Sequence, residues 1–364
     1  MFQNFGLVCK HFQNLTLDVS AIKYLELKTL PMEKKSLANL IEILSNAKFL
    51  REIKMILELP RHLYDRPIQN EIMNQVCLQA LKSSNNLKSL CLAVTYPAQG
   101  FQVNPETMKS IETNGKEIEH LELSWIGMSS INMITSLAKL KSLKFYGIKS
   151  IDVVSLAKDC PKLDTIEFGN INARDKTSTL IAFDTFFQEK QLTLRKFCFK
   201  RVIVDSISTD EFLRNLNLCQ NLEELQCRTT DLTQSSLDII AQLPNLKRLT
   251  FINIWITSET MRNFLQKLNK NNLECLSISH CLGFDQNAFN DLLELTFPRL
   301  KSLQFSSETE IPGFKINSFV RKIFKSYPCI KTIEFYYLID RKKIVYDKSR
   351  NSTTKELTFL KSSW

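Results

Sequence analysis

Apolar residues recur along this chain in one local pattern, apolar-x-x-apolar-x-apolar, about twelve times. Early copies are Ile22/Leu25/Leu27, Leu87/Leu90/Leu92, Ile118/Leu121/Leu123 and Leu140/Leu143/Phe145, with a weaker one at Leu50/Ile53/Met55. The pattern continues at Leu163/Ile166/Phe168, Leu194/Phe197/Phe199, Leu222/Leu225/Cys227 and Leu246/Leu249/Phe251. It ends at Leu273/Leu276/Ile278, Leu300/Leu303/Phe305 and Ile330/Ile333/Phe335. The last two apolar positions of each copy are two residues apart, so both side chains leave a short strand on one face. The first packs where the chain turns into that strand. Between copies the apolar residues fall at helical spacing, as in Leu37, Leu40, Ile41 and Leu44, or Leu237, Ile240 and Leu243. Each repeat thus predicts a strand, a loop, a helix and a return turn. A single unit cannot bury both its strand face and its helix stripe; stacking parallel copies buries both in a continuous core.

Measured between the middle positions, residues 25 to 333, the step ranges from 22 to 37 residues with a mean of 28. That length and pattern resemble leucine-rich repeats. The resemblance implies an α/β leucine-rich-repeat solenoid, a horseshoe with parallel strands on its concave face and helices on its convex face. Return turns such as Cys160-Pro161-Lys162-Leu163, Leu243-Pro244-Asn245-Leu246 and Phe297-Pro298-Arg299-Leu300 place a proline that ends the helix and fixes the approach to the next strand. The stretch Leu156 to Leu163, with Cys160, resembles the cysteine-containing repeat subtype common in F-box proteins, as does Leu276 to Cys281. The repeat domain is expected over 21–340, followed by a C-terminal cap or tail at 341–364. There Ile344-Val345-Tyr346 and Leu357 to Leu360 alternate like the strands of a closing hairpin.

Residues 1–20 carry a second resemblance. Leu7, Val8, Cys9 and Phe12, within Phe5-Gly-Leu7-Val8-Cys9-Lys10-His11-Phe12, resemble the last helix of an F-box, and the first repeat strand follows at the expected distance. The opening Leu-Pro helix and the middle helix of that module are not in this sequence. Two readings stay open, an F-box remnant that contacts the adaptor of an SCF-type ubiquitin ligase, or an amphipathic cap over the apolar end of the solenoid. The first would make the protein a substrate-recognition subunit in ubiquitin-dependent protein degradation, binding its target on the concave face. The second suits a stand-alone scaffold or ribonuclease-inhibitor-like binding protein.

With 364 residues, 44% of them apolar, and no Gly/Ser/Pro-rich linker, the chain can bury the core of one elongated repeat domain, expected as a monomer. No apolar run reaches bilayer length and the N-terminus does not read as a signal peptide. The ten cysteines contain no C-x-x-C and fall mostly at core positions, which reads as buried thiols in a reducing compartment, cytoplasm or nucleus. The net charge of +10 is dispersed, without an RNA-binding signature, so it points to solvated surface or an acidic protein partner rather than nucleic acid.

Residues flanking each buried pair point out from the strand wall. In a parallel stack this should bring Lys196, Lys200, Arg228 and Arg248 near one another as a modest basic patch, diluted by Glu167 and Glu224. Tyr146 and Tyr336 add aromatic anchors on the wall, and Trp125, Trp255 and Tyr337 on its rim, the residue types that dominate interface energetics. Longer inter-strand segments at 57–69, 95–105 and 170–184 should emerge along one rim. Catalysis finds no support. The four histidines lie in different repeats without metal-ligand spacing, and there is no G-x-x-x-x-G-K-[ST], G-x-G-x-x-G or G-x-S-x-G motif. No metal or cofactor is expected. A repeat-type GTPase activator would carry an acidic tail, whereas this chain ends basic, from Lys348 to Lys355.

Overall fold

The computed structural model describes residues 22–27, 34–57, 66–84, 86–94, 103–124, 132–146, 153–169, 176–200, 208–228, 232–268, 271–280, 286–307, 315–337, 342–350 and 352–354. The chain falls into two compact units, Met1–Asp175 and Lys176–Trp364.

The first unit alternates short strands and helices: β1 (Tyr24–Leu27), α1 (Lys34–Asn46), β2 (Glu52–Leu57), α2 (Arg66–Ser83), β3 (Ser89–Val94), α3 (Pro105–Asn114), β4 (His120–Ser124), α4 (Asn132–Thr135), β5 (Ser142–Tyr146), α5 (Val153–Asp159) and β6 (Thr165–Gly169). Each strand pairs in parallel with the next, in the register the repeat pattern predicts. Leu25, Ile53, Leu90, Leu121, Leu143 and Ile166 align, as do Leu27, Met55, Leu92, Leu123, Phe145 and Phe168. From Ile53 onward these side chains are at most 1% exposed, so the inward pair of each repeat is core. A backbone device fixes the register. The carbonyl just before one strand accepts two N–H groups from the next coil, as Lys88 does from Glu119 and His120 at 2.8 and 2.9 Å.

Local chemistry sets the helix ends. Asn104 caps α3 by accepting from the Thr107 amide, with Pro105 at the first helical position, where a missing N–H costs nothing. At the far end Gly115 approaches so closely that a Cβ there would fall 2.4 Å from the Ile111 carbonyl oxygen.

The second unit runs α6 (Lys176–Lys190), β7 (Lys196–Lys200), α7 (Thr209–Leu213), β8 (Glu224–Arg228), α8 (Gln234–Ala241), β9 (Arg248–Ile252), α9 (Ser258–Lys267), β10 (Cys275–Ser279), α10 (Gln286–Glu294), β11 (Ser302–Ser307), α11 (Ile316–Ser326) and β12 (Thr332–Tyr337). Strands β7 to β12 are again parallel neighbours in order. Its core is built from rings. Phe183 and Phe187 of α6, Phe212 of α7, and Phe197 and Phe199 of β7 meet with centroids 4.6 Å (Phe183–Phe212) to 6.4 Å (Phe183–Phe187) apart. A second cluster joins Phe289, Phe305, Phe319 and Phe335, Phe289 lying 4.8 Å from Phe305 in an edge-to-face pair.

Successive helices of this unit are tied by aspartates. Asp184 accepts from Arg214 and Asn215, Asp210 from Thr233 and Ser236, Asp238 from Lys267, and Asp291 from Arg262. The return turns are tied by asparagines. Asn221, Asn245 and Asn272 each donate to a carbonyl of the preceding turn, those of Leu192, Gln220 and Pro244, at 2.8, 2.8 and 2.9 Å.

The sequence places the first strand of the closing hairpin correctly. β13 (Lys342–Asp347) runs antiparallel to β12, aligning Ile344 with Phe335 and Tyr346 with Ile333, and covers an edge that would otherwise expose unpaired backbone. Its partner, β14 (Ser352–Thr354), comes earlier than expected, and 357–360 lie outside the described residues.

Candidate partner-binding face

Because only alternate strand residues face the core, the others form columns on the outward face of each sheet, neighbours being about 4.8 Å apart. In the second unit one column aligns Lys196, Glu224, Arg248, Cys275, Ser302 and Thr332. Another, at the C-terminal ends of the strands, aligns Lys200, Arg228, Ile252, Ser279, Ser306 and Tyr336. The expected grouping of four cations on β7 to β9 is therefore present in register, but it is divided. Glu224 sits between Lys196 and Arg248 and binds both, at 2.5 Å to Lys196 Nζ and 2.7 Å to Arg248 Nη2. Burial pushes the Glu224 carboxyl up, yet the hydrogen bonds from Lys196 and Arg248 outweigh it and hold the group below the usual glutamate range. Lys200 and Arg228 form the other half, directly adjacent in register at the opposite ends of the strands.

Trp255 lies three residues past Ile252, the register partner of Arg228, and its indole is 63% exposed. The chain turns sharply there, with Asn253 in the left-handed region at φ 57°, a conformation that asparagine tolerates better than most residues. Tyr336 belongs to a cluster of its own. Its hydroxyl donates to Glu334, and Lys343 of β13 stands 5.0 Å from its ring centroid and 3.6 Å from Glu334.

Tyr337 corrects the sequence reading. It is 3% exposed and faces the core, because it lies two residues beyond Phe335 and shares that inward face. Tyr146 ends β5, but its side chain is not among the described ones, and Trp125 and the N-terminal Leu7, Val8, Cys9 and Phe12 lie outside the described residues. The three long rim segments fall there in part, at 58–65, 95–102 and 170–175. Cys77, Cys91, Cys160, Cys198, Cys219 and Cys227 are buried free thiols, whereas Cys329 is exposed on a return turn. Burial pushes the Cys77 and Cys219 thiols up to about 12.

Sequence reasoning missed the charged residue that stands just before each strand. In the first unit Glu119 bridges Lys88 and Lys141 at 2.8 and 2.6 Å. In the second, Glu223 bridges Arg195 and Lys247 at 3.4 and 3.0 Å, and Lys301 pairs with Glu274 at 2.8 Å. The signal was available, since these positions alternate in sign from Lys88 to Lys301 and stacking within each unit makes them neighbours.

No group of three or more His, Cys, Asp or Glu that could hold a metal ion occurs among the described residues, and no helix among them is long and apolar enough to cross a membrane. No family model matches the sequence, and no curated protein matches it. Among solved structures the chain is similar to the one titled "Crystal structure of Rad7 and Elc1 complex in yeast", with a TM-score of 0.54 at 14% identity, over 91% of this chain and 82% of that one. That likeness concerns the fold alone. The chain is a leucine-rich-repeat solenoid. An internalin (inlF) from Listeria monocytogenes str. 4b F2365 is also similar, at a TM-score of 0.42 and 14% identity over 84% of this chain and 86% of that one.

Proposed function

We propose that this leucine-rich-repeat chain is a protein-binding module that recognises a partner on the outward face of its strands. The observation that carries this reading is the exposed Trp255, which follows β9 in the same unit whose strands carry Arg228 and Arg248 outward, since tryptophan and arginine are the residues that most often anchor protein interfaces. The more specific proposal is a substrate-recognition subunit of an SCF-type ubiquitin ligase, acting in the cytoplasm or nucleus. It is supported by the F-box-like Leu7, Val8, Cys9 and Phe12 and by the cysteine-containing repeats. In that role the chain performs no chemistry; it holds a protein substrate near a recruited conjugating enzyme. The Rad7 structure, in which a chain of similar fold is solved with Elc1, is consistent with assembly on a second protein. The alternative is a stand-alone scaffold or inhibitor-like binder working without a ligase.

Immunopurification of the endogenous protein from its own cells separates the two. Recovery of the SCF adaptor and cullin with it supports the ligase reading. A partner recovered reproducibly without either subunit moves the assignment to the stand-alone binder, and absence of any partner removes the protein-binding reading altogether.

A further inference from the structure

We infer that a second surface of this chain, the outer face of α11 with Lys331 on the turn that follows it, binds the phosphate backbone of double-stranded DNA. Cations are spread along the whole sequence, but their excess is not. Residues 315–364 hold twelve lysines and arginines against four aspartates and glutamates, +8 of the chain's +10. On α11 the exposed positions are Asn317, Ser318, Arg321, Lys322, Lys325 and Ser326, which recur at helical spacing along one face. The helix contains no aspartate or glutamate. Elsewhere in this unit Arg214, Arg262 and Lys267 each bind an aspartate of a neighbouring helix, Asp184, Asp291 and Asp238. No carboxylate among the described residues forms an ion pair with Arg321, Lys322, Lys325 or Lys331. The alternation of sign before the strands breaks at the same place: Lys247, Glu274 and Lys301 are followed by Lys331, whose amide bonds the Lys301 carbonyl.

Folding does not ask for this arrangement. Arg321 and Lys325 stand four residues apart, and Lys322 and Lys325 three, so like charges are neighbours on the helix and cost stability. Attraction to the helix C-terminus reaches only the last turn and accounts for Lys325 alone. What the face lacks decides what it fits. Protein interfaces centre on apolar or aromatic anchors, and helices that lie on membranes turn apolar side chains to the lipid. α11 spends Phe319, Val320 and Ile323 on the core instead. Single strands are held by exposed aromatics on which bases stack, and Phe324 is half-buried. Cations interleaved with serine are the groups that contact duplex phosphates, positioning a protein without reading sequence. From Ser318 to Ser326 the face is about 12 Å long, enough for one crossing of a duplex backbone. Binders of double-stranded RNA span two successive minor grooves, farther than this face extends. Charge complementarity thus assigns the sign of the ligand, and the absence of apolar anchors assigns its class.

The test uses the full chain and a fluorescein-labelled DNA duplex of about 20 base pairs, roughly two helical turns, followed by anisotropy. Four phosphate contacts predict an affinity that falls with salt at a log–log slope of about −4. Arg321→Gln/Lys322→Gln/Lys325→Gln should weaken binding at least about tenfold and reduce the size of that slope by about three. It should melt like the wild type, since the three residues face outward. Arg321→Lys/Lys322→Arg/Lys325→Arg keeps the charge and should bind normally. Lys48→Gln/Lys109→Gln/Lys116→Gln removes equal charge from exposed positions of the first unit and should change affinity less than about twofold. Cys329, exposed on the same turn as Lys331, reports the place of binding: the duplex should slow its alkylation by a maleimide, read by peptide mass. An equal loss in the first-unit variant overturns the proposal, because net charge alone would then drive binding. So does the absence of duplex binding at low salt, or tighter binding of a single strand, an RNA duplex, an oligoglutamate peptide or anionic-lipid vesicles. Each of these outcomes leaves the partner-binding strands untouched, since the immunopurification tests them separately.

Discussion

On the outward face of the first unit, Glu26, Glu122 and Glu167 alternate along one column with Lys54 and Lys144, and the opposite charges pair: Lys54 with Glu26 at 3.4 Å, Lys144 with Glu122 at 3.5 Å and with Glu167 at 3.8 Å. The matching column of the second unit, Cys198, Gln226, Thr250, Ser277, Gln304 and Glu334, is uncharged except at its end. The interiors differ as well. Strands β1 to β4 turn leucine, isoleucine and methionine inward, whereas β7 and the helices around it supply a cluster of phenylalanines. One backbone plan tolerates both because the inward residues and the backbone bonds before each strand, not the outward residues, fix the register. Outward residues are then free to alternate in sign along the middle column of one unit and to be largely uncharged along the matching column of the other. If the outward face sets partner choice and the inward face sets stability, substitutions on the two faces should separate cleanly.

The largest effect belongs to the inward face. Leu225, 0% exposed in β8, aligns with Phe197 and Leu249, so Leu225→Asp would place an unpaired charge in the core. A loss of about 4–5 kcal/mol is expected, seen in a urea titration as a large fall in the midpoint. A wild-type midpoint would mean that the strand faces the other way. Next comes Phe212→Ala, which deletes a ring touching Phe183, Phe187, Phe197 and Phe199 and should cost about 3–5 kcal/mol. Leu121→Ala, at an equally buried position of the first unit, removes no ring pair and should fall toward the lower end of the roughly 2–5 kcal/mol range for such truncations. Equal losses would show that the aromatic core adds nothing beyond its volume.

Such substitutions can be chosen because the fold is legible in the sequence. The spacing of two between Leu249 and Phe251, or Ile333 and Phe335, is a local property that survives in any repeat, and stacking turns it directly into register. Features that depend on two repeats at once are less legible. That Glu224 would engage both Lys196 and Arg248, dividing the expected basic patch, follows only after strand neighbours are aligned residue by residue. Tyr337 was misplaced for a related reason: the alternation that put Phe335 inside continues for two residues past the repeat pattern, so the end of the strand could not be read from the pattern itself. The asparagine ties at Asn221, Asn245 and Asn272 stand immediately before the first leucine of their repeats, a signal that means something only once the turns are known to stack.

Acid should probe the second unit's pairing. A carboxyl held below its ordinary range in the folded protein contributes stability that is complete above the unfolded value and is lost as pH falls through the folded one. Glu224 is such a group, so part of the stability should disappear below about pH 4. Lys196→Gln/Arg248→Gln removes both donors and should flatten that part of the pH profile measured by urea midpoint; an unchanged acid limb would assign the loss to other carboxylates. A smaller change is expected for Asn245→Ala, which deletes one hydrogen bond to the Gln220 carbonyl and should cost about 1 kcal/mol.

The smallest effect returns to the first unit's column of alternating charge. Lys144 is 37% exposed along its side chain and lies between Glu122 and Glu167. Burial pushes its ammonium down, but the two carboxylates outweigh that and hold it above the ordinary lysine value. Its contribution is therefore complete at neutral pH and fades only as pH rises through that raised value. Solvent screening keeps such exposed pairs small, so Lys144→Gln should cost no more than about 1 kcal/mol. It should cost more than Thr250→Ala, the substitution at the same column position of β9, because glutamine leaves Glu122 and Glu167 facing each other without a cation while alanine leaves no charge behind. Should the two variants melt together, the alternation of charge on the first unit would be a solvated coincidence rather than a means of balancing the carboxylates it carries.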